Sequence, residues 1–161
     1  MWFYIQYFAL LIFILIIQVI FPSINIEGLK LSPDLLLILL TLIAFKSERF
    51  TCVIIAFILG LLQDFISHIE LIGIYSLSKS ITGFLISTII LKNYSLSKSI
   101  LLLLIFLVYI IHFAIYFYIV LNDSLLTIFI KIKLTLIFSF VNIFLLFIVE
   151  NIIYKKTLFN R

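Results

Sequence analysis

Four apolar stretches, residues 2–21, 71–91, 99–121 and 134–154, are each at least 20 residues long. That is the length a helix needs to cross a bilayer core. Nothing else in the sequence restricts the fold as strongly. In the chain of 161 residues, 66% are hydrophobic, only 11% are charged, and the mean hydropathy is +1.42. That leaves too little polar surface to clothe a water-soluble globule. The composition predicts a single-domain membrane protein, residues 1–161. Its net charge of +4 does not point to nucleic acid, because the Lys and Arg residues fall mostly in short gaps between apolar runs. Orientation in the bilayer explains such a pattern better. Cys52 is the one cysteine, which excludes an internal disulfide or a cysteine metal cluster. The first apolar run lacks a basic leader and a small-residue cleavage site, so it is expected to be a retained helix.

Two further apolar runs, 31–45 and 50–66, are separated only by Lys46, Ser47, Glu48 and Arg49. The first reaches only ~22 Å at the helical rise, so it could be a thin crossing or half of a re-entrant hairpin. A re-entrant tip would bury three charges at about 2.5–3.5 kcal/mol each. Two short crossings are therefore expected, with tilt or thinning absorbing the mismatch. The result is an all-α bundle of six helices, about 2–21, 31–45, 50–66, 71–91, 99–121 and 134–154. Lys46, Arg49, Lys92, Lys98, Lys155, Lys156 and Arg161 fall on one side of it, and Lys30, Lys131 and Lys133 on the other. The positive-inside rule then puts both termini in the cytoplasm. Lys131 and Lys133 sit awkwardly in that scheme, just before the last helix, where they can snorkel outward. The heptapeptide YSLSKSI occurs at 75–81 and 94–100, but no larger unit repeats around it, so it signals no repeat fold.

In so apolar a chain the polar residues carry the information. Asp34 has a structural account as a helix start: Ser32 as cap, Pro33 in the first position, an acid in the first turn. Asp64, in GLLQDF, lies at a helix end where the dipole disfavours an anion. Solvation at the interface would explain it. So would a specific contact with Lys79, with loop backbone amides or with a partner. Lys79, His112 and Asn142 fall near the middle of the fourth, fifth and sixth predicted helices. At that depth they must face protein or a cavity, as glue between helices or as a ligand pocket or ion path. Ser76, Ser78, Ser80 and Gly83 give the fourth helix a small-residue surface for close approach. No phosphate-binding glycine pattern and no nucleophile elbow is present. Asp64 and His68 alone do not make a metal site. A catalytic dyad of Asp34 and Asp64 lacks any supporting motif, so neither an enzyme nor a cofactor is expected.

The order SPDLLLILLTLIAF, a charged turn, FILGLLQDF and IGIYSL resembles the core of the rod shape-determining MreD family. Pro33, Asp34, Gly60, Leu61, Asp64, Gly73 and Leu77 fall on that pattern in sequence. The turn here is KSER, where the family usually carries glycine, and Ile72 stands where leucine is usual. The resemblance implies a non-enzymatic inner-membrane subunit of the wall-elongation machinery, similar in fold to the substrate-binding subunits of energy-coupling-factor transporters. It further implies MreC as partner and, directly or indirectly, MreB, RodA and a class B penicillin-binding transpeptidase. The competing expectation is a substrate-binding subunit of an energy-coupling-factor vitamin transporter, with Lys79, His112 and Asn142 lining its pocket. Its first helix should carry a small-residue face, whereas this one offers only Ala9.

Overall fold

A computed structural model describes residues 14–18, 20, 24–26, 29–67, 72–92, 97–121 and 128–153. Residues 14–18 and 20 are helical and form the described part of α1. A short antiparallel hairpin follows, β1 (Ile24–Ile26) and β2 (Leu29–Leu31), with Ile24 opposite Leu31. Five helices complete the chain: α2 (Leu35–Ala44), α3 (Arg49–Ser67), α4 (Ile74–Lys92), α5 (Lys98–Val120) and α6 (Ile128–Ile153). The last four are long and apolar enough to cross a membrane.

The second predicted helix is corrected. It begins at Leu35 rather than at residue 31, because the residues before it pair as β2 and Asp34 caps the helix. Its ten residues span ~15 Å, half of a bilayer core, so the helix alone is too short to cross and residues 29–34 before it have to supply the rest of the path. Seven of those ten are buried, including Leu36, Leu37 and Leu40 with no exposure. A helix that is apolar all round belongs inside a bundle, and α2 packs against α3, α4 and α6. The last helix also begins earlier than expected, at Ile128, so Lys131 and Lys133 lie within it. Residues 154–161, including the basic tail, lie outside the described residues.

Helix α4 packs against α3 on one side and α5 on the other, and α5 packs against α6. The α3–α4 seam is built on small residues. Cys52, Ala56 and Gly60 recur every four residues on the buried stripe of α3. A β-carbon on Gly83 of α4 would lie 2.9 Å from that of Ala56. Several hydroxyls that line α4 bond within the helix, Ser80 donating to the Ser76 carbonyl and Ser87 to that of Gly83, both at 2.7 Å. On α5 the buried set Ile105, Val108, Tyr109, His112, Phe113, Tyr116 and Phe117 follows the three-four spacing of one helical face. Tyr109 hydroxyl meets Thr41 Oγ1 of α2 at 2.8 Å, deep in the bundle. Where α5 begins and α6 ends, the Lys98 ammonium donates to Glu150 at 2.9 Å.

Candidate functional site

Because α2 starts inside the bundle, its free N–H groups have no water to turn to. The sequence supplies protein partners instead. Asp34 is the N-cap, its Oδ1 accepting from Leu37 N–H at 3.0 Å. From α1, Gln18 Oε1 accepts from Leu35 N–H at 2.7 Å, while its Nε2 donates to the Pro33 carbonyl at 2.9 Å. Pro33 is buried and Asp34 is 2% exposed.

The second oxygen of Asp34 gathers side chains from two further helices. Lys79 Nζ, wholly buried on α4, donates to Oδ2, and His112 Nε2 of α5 lies 3.5 Å from the same atom. His112 Nδ1 is 3.2 Å from Thr82 Oγ1, which also bonds the Ser78 carbonyl at 2.7 Å. The Lys79 ammonium stands 5.1 Å from the centre of the Tyr75 ring, which in turn stacks on Tyr116 at 4.6 Å. One carboxylate thus joins α2, α4 and α5 where neither charge could stay unpaired.

Two expectations change here. Lys79, one of three contacts left open for Asp64, pairs with Asp34 instead, and it is the sixth residue of α4 rather than central. The reason is that α2 begins inside the bundle, so that its N-cap Asp34 lies beside α4. Asn142 is buried on α6, but its Nδ2 bonds its own helix at the Phe138 carbonyl, 2.9 Å away. Its Oδ1 has no partner among the described residues, and no hydrogen bond there joins it to Lys79 or His112.

Asp64 forms a second constellation. It is 2% exposed, which excludes solvation as its support. Its Oδ1 accepts from Tyr75 N–H at 3.0 Å and its Oδ2 from Ser76 N–H at 3.2 Å, the second and third residues of α4. A carboxylate disfavoured at the end of its own helix thereby caps the positive end of the next. Asp64 comes this close because Gly60, one turn earlier, has no side chain. A β-carbon there would fall 2.5 Å from Ser76 N and 2.6 Å from the Tyr75 carbonyl oxygen. Gly73, with φ of 109°, makes the turn into α4, and its carbonyl accepts from Leu77 N–H and Ser76 Oγ, both at 2.9 Å. Leu61 is half-buried beside this clamp, whereas Leu77 is half-exposed on the outer face. Among the described residues no hydrogen bond links Asp34 to Asp64; each carboxylate has its own partners.

Sequence reasoning passed over Gln18 and Thr82. Their signal was nonetheless present: Gln18 is one of two glutamines in the first apolar run. A polar amide at bilayer depth must find a protein partner.

Fold and site together define a polytopic helical membrane protein whose buried charges hold its helices to one another. The chain belongs to the MreD family: the model described as rod shape-determining protein MreD matches residues 1–157. Membership gives it a role in rod-shape determination and a place with MreC and related proteins in the shape-determining complex. No match was found among curated proteins or among solved structures.

Proposed function

We propose that this protein is a non-enzymatic subunit of the wall-elongation complex in the bacterial cytoplasmic membrane. It binds MreC directly and thereby helps to organise RodA and a class B penicillin-binding transpeptidase, with MreB on the cytoplasmic side. Both termini face the cytoplasm, so that the α3–α4 turn faces outward, and the bundle has the kind of fold used by substrate-binding subunits of energy-coupling-factor transporters. The observation that carries the reading is how Asp64 is used. Both its oxygens are occupied by backbone N–H groups of α4, so it shapes the α3–α4 end rather than acting on a substrate. Pro33, Asp34, Gly60, Leu61, Gly73 and Leu77 belong to the same framework. Lys79 likewise spends its charge on Asp34, which favours an interhelical role over a ligand pocket.

The test is affinity capture of the tagged full chain from gently solubilised native membranes, beside an Asp64→Asn variant. Recovery of MreC with RodA and the transpeptidase, reduced in the variant, is the expected result. Unchanged expression, thermal stability and capture in Asp64→Asn would refute the role given to Asp64. Recovery of transporter ATPases in place of MreC would overturn the reading in favour of a vitamin transporter.

A further inference from the structure

A groove of about 330 Å³ lies between the end of α5 and the start of α6. It takes its shape from Ala114, whose short side chain leaves space among Ile110, Phe117, Ile132 and Leu136. The walls are almost entirely apolar, because Thr135, which also lines the groove, spends its hydroxyl on the Lys131 carbonyl at 2.8 Å. The groove follows each helix for ~12 Å, the rise of eight residues. Ile132 and Leu136 are 54% and 47% exposed, so the groove opens sideways to the hydrocarbon rather than into the bundle.

The one charge among its described lining residues is Lys131, half-buried in the first turn of α6 with Nζ 6.0 Å from the centre of the Tyr118 ring. No carboxylate among the described residues pairs with it. The positive end of α6 adds to the potential there. The basic residues at the opposite end of the bundle have an explanation in orientation, which Lys131 lacks.

We propose that this groove is a binding site for an anionic phospholipid, one acyl chain lying along Ala114, Ile132 and Leu136 and the headgroup phosphate on Lys131. One molecule of that chemistry satisfies both halves of the groove. An apolar helix from a partner would fill the trough but leave the ammonium unpaired against it, a costly arrangement. A zwitterionic lipid matches the trough but returns less to the lysine, since a basic side chain near an anionic surface gains about 1 kcal/mol.

Native mass spectrometry of the full chain, released from micelles doped with equal phosphatidylglycerol and phosphatidylcholine, tests the assignment. Wild type should retain phosphatidylglycerol about fivefold over phosphatidylcholine, the ratio equivalent to ~1 kcal/mol. Lys131→Gln should abolish that preference, and Ala114→Leu should reduce retention of both lipids. Lys133→Gln, an exposed lysine that does not line the groove, should keep the preference. Equal retention of the two lipids by wild type, or equal effects of the two lysine variants, overturns the proposal. A photoreactive residue at Tyr118 provides a readout in native membranes. An adduct of phospholipid mass supports the site, and an adduct to another polypeptide overturns it.

Discussion

Replacing Gly60 with alanine tests whether helix propensity or interhelical contact governs the α3–α4 seam. Within an isolated helix the change is favourable by about 1 kcal/mol. Here the added carbon would meet the Ser76 Cα most closely and lie 2.5 Å from Ser76 N, where ordinary contact begins at 3.4 Å, so α4 must retreat by at least about 0.9 Å. The obstacle is backbone, which cannot swing aside as a side chain would, and overpacking of this kind costs about 1–3 kcal/mol. The same retreat stretches the 3.0 and 3.2 Å bonds from Asp64 to Tyr75 and Ser76 beyond hydrogen-bond length. Hydrogen bonds to a charged group contribute about 1.5–3 kcal/mol each, part of which the Asp64 side chain can recover by following. Gly60→Ala should therefore destabilise the protein by roughly 3 kcal/mol net, opposite in sign to the propensity term. Unfolding in mixed micelles, titrated with SDS and followed by circular dichroism, reads this directly. Gly83→Ala is the milder comparison, since its β-carbon meets the Ala56 β-carbon at 2.9 Å and backbone, the Cys52 carbonyl oxygen, only at 3.4 Å, so a smaller retreat suffices. A Gly60→Ala midpoint at or above wild type, or a larger loss for Gly83→Ala, would refute the close-approach argument.

The Asp34–Lys79 pair should behave as a unit: Lys79→Met alone should cost on the order of 3 kcal/mol by stranding a buried carboxylate. Adding Asp34→Asn should then cost far less than Asp34→Asn does alone, giving a coupling above about 1 kcal/mol in a double-mutant cycle, whereas additive losses would dissolve the pair. The orientation is checked on intact cells with a membrane-impermeant thiol reagent. Ile72→Cys, 65% exposed at the start of α4, should react, and Glu48→Cys in the α2–α3 turn should react only after permeabilisation; the reverse pattern inverts the topology.

Hydropathy makes the long spans α4, α5 and α6 legible, because any segment in hydrocarbon must be both apolar and helical; most of the first expected span, 2–21, lies outside the described residues. The helix ends are less visible. The sequence around residue 31 looks like a helix beginning, since leucines follow a Ser-Pro-Asp stretch, yet pairing with Ile24–Ile26 holds Leu29–Leu31 in a strand. Hydropathy is equally blind to whether ten apolar residues sit in lipid or in protein, as both are dry. That is why the sequence does not reveal that α2 is buried among the other helices.

What the sequence determines by itself is the inventory: which stretches must be helices in a membrane, and which polar side chains are out of place there. Periodicity also places Cys52, Ala56 and Gly60 on one stripe, because a helix fixes its own faces. Partnership is decided by tertiary structure. Asp34 and Lys79 are 45 residues apart, and Asp64 lies 11 residues before Tyr75. No local rule prefers one carboxylate to the other for a lysine distant from both in sequence. The choice follows from α2 beginning inside the bundle, where its N-cap Asp34 meets the Lys79 ammonium. The absent side chain of Gly60 in turn lets Asp64 reach the N–H groups of α4.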